Sequence, residues 1–481
     1  LKSLTLADVV TGLTGNIITA PQPITSVVID SRLARPGSLF VALPGEHHNG
    51  HDFVAGAFEN GAVAAIIQRP VQSGRPAQLI GPAAGGYDPA NPAPLCLQVP
   101  DSLAGLQKLA GYWRSQFNPQ VIGITGSVGK STTKELTWNV LSTRFSALKN
   151  KGNYNNEIGL PLTLLELNHT YQAVVLEMGM YDVGEIALLC RLARPQVGVV
   201  TNVGPTHMER LGTIERIAQA KAELVEALPG ATQGGIAILN HDDPLVRPMA
   251  AKTAAQVVTY GISPEADLWA GDIVSAGLEG VRFVFHYQGD QIHAKVPLLG
   301  RHSVHTALRA ALVGLVQGLA WEEIMAGLQT LPDTTQLRLV AAPGPNGSTL
   351  LDDTYNASPA STIAALNLLD DLTARRKIAV LGDMLELGSY EEEGHRKVGC
   401  RAADIVDVLI VIGRRAGFIA QEAQACGLEA EAIMAFDDRR PAIDYLRQIL
   451  GPQDVVLVKG SNAMKLDEIV AALTVQKPVE G

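Results

Sequence analysis

Short apolar runs recur along the chain, and most of them stop at glycine or at a polar residue. Val27-Val28-Ile29 stops at Asp30, Leu39-Phe40-Val41-Ala42-Leu43 at Pro44-Gly45, and Val121-Ile122-Gly123-Ile124 at Thr125-Gly126. Similar runs occupy 173–176, 197–201, 235–239, 257–260, 350–351, 378–381, 408–412 and 455–458. Runs of this length bounded by turn residues predict strands. Between them lie helical patterns: Glu135, Leu136, Trp138 and Leu141 follow one run, and Ile217, Ala218, Ala220 and Leu224 form an apolar stripe after another. Further on, Ser358 reads as an N-cap and Pro359 as the first helical residue. Strands alternating with helices predict an α/β protein whose mostly parallel sheets carry helices on both faces.

A stretch rich in Pro, Gly and Ala, 71–94, interrupts this alternation and includes Gly85-Gly86. It reads as a linker closing a first unit. The expected organisation is a first α/β unit over 1–94, a central unit over 95–333 built on a mostly parallel sheet of P-loop type, and a Rossmann-like α/β unit over 334–481. A chain of 481 residues exceeds what one core supports. With 47% hydrophobic and 18% charged residues it is not a disordered protein. The net charge of −10 argues against nucleic acid as the main partner. No run approaches the roughly 20 apolar residues of a membrane span, so the reading is a cytoplasmic protein with no membrane partner. Cys96, Cys190, Cys400 and Cys426 form no C-x-x-C pair, which fits a reducing compartment.

The chemistry concentrates where the strands end. Gly126-Ser127-Val128-Gly129-Lys130-Ser131-Thr132-Thr133 joins a strand to a helix as a phosphate-binding loop does. Glycines let the backbone approach phosphates, helix-start N–H groups point at them, Lys130 supplies charge, and Ser131 offers a hydroxyl to Mg²⁺. The loop is shorter than the general pattern, since Ile124 stands where a first glycine is usual. Glu177 and His207 follow the runs at 173–176 and 197–201, and Lys221 sits on a helix. Beside a phosphate loop, these three favour a metal–nucleotide site. The amide-rich loop 151–159, with Asn155 and Asn156, suits a polar substrate. In the first unit, Arg32 beside Ser31 reads equally well as a phosphate contact or a surface arginine. His47, His48 and His51, among Asn49, Gly50 and Asp52, read as a solvated loop rather than a metal site.

Thr125-Gly126-Ser127-x-Gly129-Lys130-Ser131-Thr132-Thr133-Lys134-Glu135, Asn155-Asn156-Glu157-Ile158-Gly159, Glu177-Met178-Gly179, His207, Lys221 and Lys459-Gly460-Ser461 resemble the Mur ligase family. Asp30-Ser31-Arg32, Pro36-Gly37 and Gly50-His51-Asp52-Phe53 resemble its UDP-sugar-binding pattern. Within the family, 352–359 and 380–388 resemble the branch that adds D-alanyl-D-alanine. The resemblance implies an ATP-dependent ligase, acting as a monomer, that joins UDP-N-acetylmuramoyl-tripeptide to D-Ala-D-Ala through an acyl phosphate. It further implies ATP contacts by Gly126, Ser127, Gly129, Lys130, Ser131, Thr132, Arg338 and Asp353. Two Mg²⁺ ions would be held by Ser131, Glu177, His207 and a carbamylated Lys221. Ser31, Arg32, Asn155, Asn156, Tyr355 and Asn356 would contact substrates. Two departures stand out: Ser303 and Thr306 replace the family's Asn-x-x-Asn after Gly300-Arg301-His302, and Leu337-Arg338 replaces a Gly-Arg pair. Another amide ligase of the superfamily, extending folate or a different muramoyl peptide, remains an alternative. So does a non-ligase nucleotide switch.

Overall fold

The structure is a computed structural model that describes residues 3–45, 47–81, 87–330 and 339–475. Gly85-Gly86 and Leu337-Arg338 therefore lie outside the described residues. The chain divides into two compact units, one of Leu1–Gly123, Phe145–Met180 and Gly184–Val197, the other of Ile124–Arg144, Tyr181–Val183 and Gly198–Gly481.

In the first unit, the apolar runs form β1 (Ser26–Val28), β2 (Ser38–Val41), β3 (Ala64–Ile67), β4 (Gln78–Ile80) and β5 (Leu95–Gln98). Their order is β1-β2-β3-β5-β4, with every pair parallel. The Pro/Gly-rich stretch thus contains a strand, and β5, just past it, pairs with both β3 and β4. Phe40, Ala42, Ala65 and Ile67 face the buried side of helix Val54–Glu59 on this sheet, where Cys96 is also buried. Burial pushes the Cys96 thiol up to about 11, so it stays protonated. The unit also carries β6 (Gln120–Thr125, to Gly123), β7 (Ala147–Lys149) and β8 (Ala173–Glu177), in the order β6-β8-β7.

The second unit begins with the last residues of β6 and continues with β9 (Val197–Val200), β10 (Ile236–Asn240) and β11 (Gln256–Gly261). Then come β12 (Leu268–Ser275), β13 (Val281–Tyr287) and β14 (Asp290–Val296), which add an antiparallel margin to the parallel strands. Its second sheet contains β15 (Val340–Pro343), β16 (Thr349–Asp353), β17 (Arg376–Gly382), β18 (Val408–Ile412), β19 (Ile433–Phe436) and β20 (Asp454–Lys459). The order is β15-β16-β20-β17-β18-β19, parallel except for β15. Its inner strands β16, β20, β17 and β18 are buried on both faces, as a doubly wound sheet requires, while the edge strands β15 and β19 are more exposed. Ile378, Val380, Ile410 and Val456 enter one core, while Ala379, Leu381, Leu409 and Leu457 enter the other. That split follows from the two-residue period of a strand.

Asp454 opens β20 with a fully buried side chain, held by Arg375 at 3.1 Å and Arg376 at 2.6 Å. Burial alone would raise its carboxyl, but hydrogen bonds from Arg376, Arg375 and the Gly451 N–H outweigh it and hold the group at about 2. Because the folded value lies below the unfolded one, this stabilisation is complete above about pH 4 and fades as pH falls toward 2. Asp454→Asn should lower stability by about 1–3 kcal/mol at pH 7, less than a fully buried pair because both arginines reach water. Urea denaturation at pH 7 and pH 3 should show the difference between the two proteins shrinking at the lower pH.

Cys400 and Cys426 lie too far apart in sequence to suggest a pair, yet they form a disulfide with Cα atoms 5.3 Å apart. Packing of helix Glu391–Ala403 against Gly417–Ala425 brings them together. This disulfide is at odds with the reducing compartment read from the absence of a C-x-x-C pair, while Cys96 and Cys190 are buried free thiols.

Candidate active site

In the second unit the end of β6 turns into helix Lys130–Ser142 through a loop with room only for glycine at its first bend. Gly126 has φ +145, and a Cβ there would meet Thr201 Oγ1 at 1.8 Å. Gly129 is the N-cap at φ +85. Residues after β9 clamp this loop. Asn202 Oδ1 accepts from the Val128 N–H at 2.9 Å, while the Thr201 hydroxyl and the Asn202 amide both donate to Val128 O, at 2.7 and 3.0 Å. Ser127 Oγ donates to Gly204 O at 3.0 Å and accepts from Gly204 N–H at 2.9 Å. The Ser127 side chain therefore shapes the loop, and any phosphate contact falls to its backbone. Lys130 folds back over the loop, its Nζ donating to Gly126 O at 2.7 Å and Ser127 O at 3.2 Å. Ser131 and Thr132 occupy the first turn, where helix N–H groups concentrate positive potential.

Lys221 lies on helix Ile214–Glu226, whose N-cap Thr213 accepts from the Arg216 N–H. At 2% exposure it is not a lysine with its charge in water. Burial, and secondly the Lys130 charge, hold its amine well below the ordinary lysine range. Among the described residues no carboxylate forms an ion pair with it.

His207 caps helix Met208–Leu211 from a left-handed conformation, φ +58. Its Nδ1 is 2.7 Å from Glu386 Oε2. The imidazole holds the Glu386 carboxyl below its usual range, against the effect of burial. Glu386, also left-handed at φ +64, belongs to the loop after β17. Beneath that loop His395 is fully buried, accepting from Met384 N–H at 3.0 Å through Nε2 and donating from Nδ1 to Glu391 O at 2.7 Å. That pattern requires neutral imidazole, which burial favours.

At the carboxyl edge of the second unit's other sheet, Asp353 and Lys459 face each other in register and bond at 2.6 Å. Lys459 Nζ also donates to Asn356 O at 2.9 Å. Tyr355 is exposed beside them, and Asn356 Oδ1 accepts from Ala357 N–H. Arg338 lies outside the described residues.

In the first unit, Glu177 ends β8 at 1% exposure. Its Oε1 accepts from Asn155 Nδ2 at 2.8 Å, so Asn155 aims the carboxylate. Asn150, to which the sequence reading assigned no role, clamps the same strand end, accepting from Glu177 N–H and donating to Glu177 O, both at 3.0 Å. Its position directly after β7 was the available signal. Asn156 Oδ1 instead accepts from the Gly159 N–H at 2.9 Å, holding the start of helix Gly159–Leu164.

Elsewhere in this unit, Arg32 is exposed and paired with Asp30 at 2.6 Å, and Ser31 O accepts from the Asn60 amide. The solvated-loop reading fits His47 and His48, which are exposed, but not His51. His51 is 3% exposed, with Nδ1 on Asn49 Oδ1 at 2.7 Å and Nε2 accepting from Gln68 N–H at 2.9 Å. With both nitrogens engaged it is a structural residue. Among the described residues no three His, Cys, Asp or Glu side chains converge as a ready metal site, and no helix is long and apolar enough to cross a membrane. Within the second unit, the Ser131 hydroxyl and the buried Lys221 amine are oxygen-bearing or CO₂-reactive groups of the kind an oxygen-preferring ion could use.

Three family models match the chain: the Mur ligase family catalytic domain over residues 23–111, the Mur ligase middle domain over 124–314, and the Mur ligase glutamate ligase domain over 337–462. UDP-N-acetylmuramoyl-tripeptide–D-alanyl-D-alanine ligase of Bacillus subtilis is 36% identical, over 97% of both chains. Among solved structures, MurF from Acinetobacter baumannii superposes with a TM-score of 0.84 at 28% identity, over 98% of both chains. MurF ligase from Thermotoga maritima in complex with ADP gives 0.78 at 29% identity, covering 93% of this chain and 97% of that one.

Proposed function

Because this chain belongs to the Mur ligase family, we propose that it joins D-alanyl-D-alanine to UDP-N-acetylmuramoyl-tripeptide at the expense of ATP, in peptidoglycan precursor synthesis. The observation that carries this reading is the full-length similarity to ligases of that name, together with the phosphate loop. A terminal carboxylate of the tripeptide attacks the γ-phosphorus of ATP; a C–O–P linkage forms, the bond to the β-phosphate oxygen breaks, and ADP leaves. The amine of D-Ala-D-Ala then attacks the acyl carbon, the C–N bond forms, an amine proton is lost, and phosphate departs.

Two anions must meet in the first step, so fixed positive charge and in-line placement dominate catalysis. In this proposal Lys130 leaves the Gly126 and Ser127 carbonyls to neutralise phosphate, while the backbone of Gly126, Ser127, Gly129, Ser131 and Thr132 cradles it. Mg²⁺, when bound, would draw charge off the phosphates, with Ser131, Glu177, His207 and carbamylated Lys221 as its protein ligands. Imidazole is an unusual partner for this oxygen-preferring ion, and His207 would have to release Glu386 to serve. Asp353 and Arg338 would meet the nucleotide, Tyr355 and Asn356 the substrates, Ser31 and Arg32 the UDP end, and Asn155 and Asn156 the peptide. In this proposal the enzyme works in the cytoplasm as a monomer.

A phosphate-release assay tests this. Release should require both UDP-N-acetylmuramoyl-tripeptide and D-Ala-D-Ala; equal release with the dipeptide omitted would contradict it.

A further inference from the structure

Arg309 stands out on helix Val304–Val316, an apolar helix in which Ala307, Leu308, Ala310, Ala311 and Leu312 are fully buried. Arg309 itself is 4% exposed. Its Nε donates to Thr133 Oγ1 at 2.9 Å, its Nη2 to Thr306 Oγ1 at 2.8 Å, and the guanidinium lies 5.6 Å from the centre of the Tyr260 ring. All these partners are neutral, and among the described residues no carboxylate forms an ion pair with Arg309. A buried cation without a counter-charge is costly in a folded protein unless an anion arrives.

The guanidinium also lies against the phosphate loop, since a Cβ on Gly129 would meet its Nη2 at 3.1 Å. Thr133 Oγ1, which accepts from Arg309, donates in turn to Gly129 O at 2.7 Å, and Thr133 N–H donates to the same oxygen at 2.9 Å. Because a trans peptide is planar, fixing the Gly129 carbonyl down the helix fixes the Lys130 N–H in the opposite direction, outward from the helix start. Thr306, one of the two residues standing in place of the family's amides, is the acceptor that holds the other arm of the guanidinium. The remaining one, Ser303, only bonds back to Leu299 O.

We propose that Arg309 is a positioning residue for nucleotide phosphates: through Thr133 it orients the Gly129–Lys130 peptide, and its charge is balanced by the phosphates when nucleotide binds. This inference rests on the ATP-dependent reading of the site. The substitution Thr306 and the cation Arg309 form one arrangement, in which a threonine oxygen rather than an amide faces a guanidinium.

The test compares Arg309→Met and Arg309→Lys with the unaltered full-length protein, by calorimetric titration with ADP and AMP and by thermal melting without nucleotide. Arg309→Met should weaken ADP binding roughly 10–100-fold, the scale of a lost charge-assisted hydrogen bond, and leave AMP binding unchanged. Its KM for ATP should rise by a similar factor while KM for D-Ala-D-Ala stays the same. Arg309→Lys keeps charge but not the two-armed bonding, so its ADP affinity should fall between the other two. The melting temperature of Arg309→Met without nucleotide should not drop, since an unbalanced buried charge has been removed. Unchanged ADP affinity in Arg309→Met, or a loss shared equally by ADP and AMP, would overturn the inference. Should that variant fail to fold, Arg309→Lys decides alone, and wild-type ADP affinity there overturns it. If the unaltered protein binds no ADP, the ligase reading fails and this inference with it.

Discussion

Lys221→Arg should lose nearly all ligation, although arginine keeps most of the stem of lysine. The account behind this is chemical. Lys221 is buried, and burial together with the charge of Lys130 favours its neutral amine. A neutral amine adds CO₂, whereas an ammonium does not. The resulting carbamate would be an anion with two oxygens, the donors Mg²⁺ prefers. Arginine stays protonated and cannot form it. Labelled bicarbonate should give a carbamate carbon signal in the unaltered protein and none in Lys221→Arg. Lys221→Ala should regain some activity when acetate is added, since a small carboxylate can occupy the vacated space. Near-normal ligation by Lys221→Arg would remove Lys221 from the site.

Lys130→Ala should lower turnover by roughly 10²–10³, the scale for losing one preorganised group that stabilises developing charge. Lys130 now bridges the Gly126 and Ser127 carbonyls, so its ammonium already sits over the loop where phosphate would lie. Removing it should leave the loop itself intact, because Thr201, Asn202 and Gly204 hold that loop independently of Lys130. Loss of turnover with an unchanged melting temperature is therefore the expected pair of results. A loss below tenfold would mean that Lys130 does not face the phosphates.

How much of this was legible in the sequence depends on whether a residue's role is local. The strand–loop–helix turn was readable because Gly126, Gly129 and Lys130 lie within one turn, and the position of Glu177 because it directly ends an apolar run. The margin of β12, β13 and β14 escaped, since half-exposed strands such as Leu268–Ser275 alternate too weakly to stand out from loops. β4 and β5 were obscured by the Pro/Gly-rich residues around them. Roles created by tertiary contact left fainter traces. Asn150 clamps Glu177 from 27 residues away, and Cys400 meets Cys426 across 26. The contact of His207 with Glu386 likewise joins two distant loops. Arg309 did leave a signal, a lone cation in the run Ala307-Leu308-Arg309-Ala310-Ala311-Leu312. Such a residue is either satisfied or waiting for an anion, and only its neighbours decide which.

The most direct measurement is mass spectrometry of the product formed from ATP, UDP-N-acetylmuramoyl-tripeptide and D-Ala-D-Ala, beside a parallel reaction in which a single amino acid replaces the dipeptide. The account predicts one new species, the UDP-N-acetylmuramoyl-pentapeptide, formed only with ATP and only with the dipeptide. Failure to consume D-Ala-D-Ala, with a single amino acid added to the muramoyl peptide or to folate instead, would contradict it.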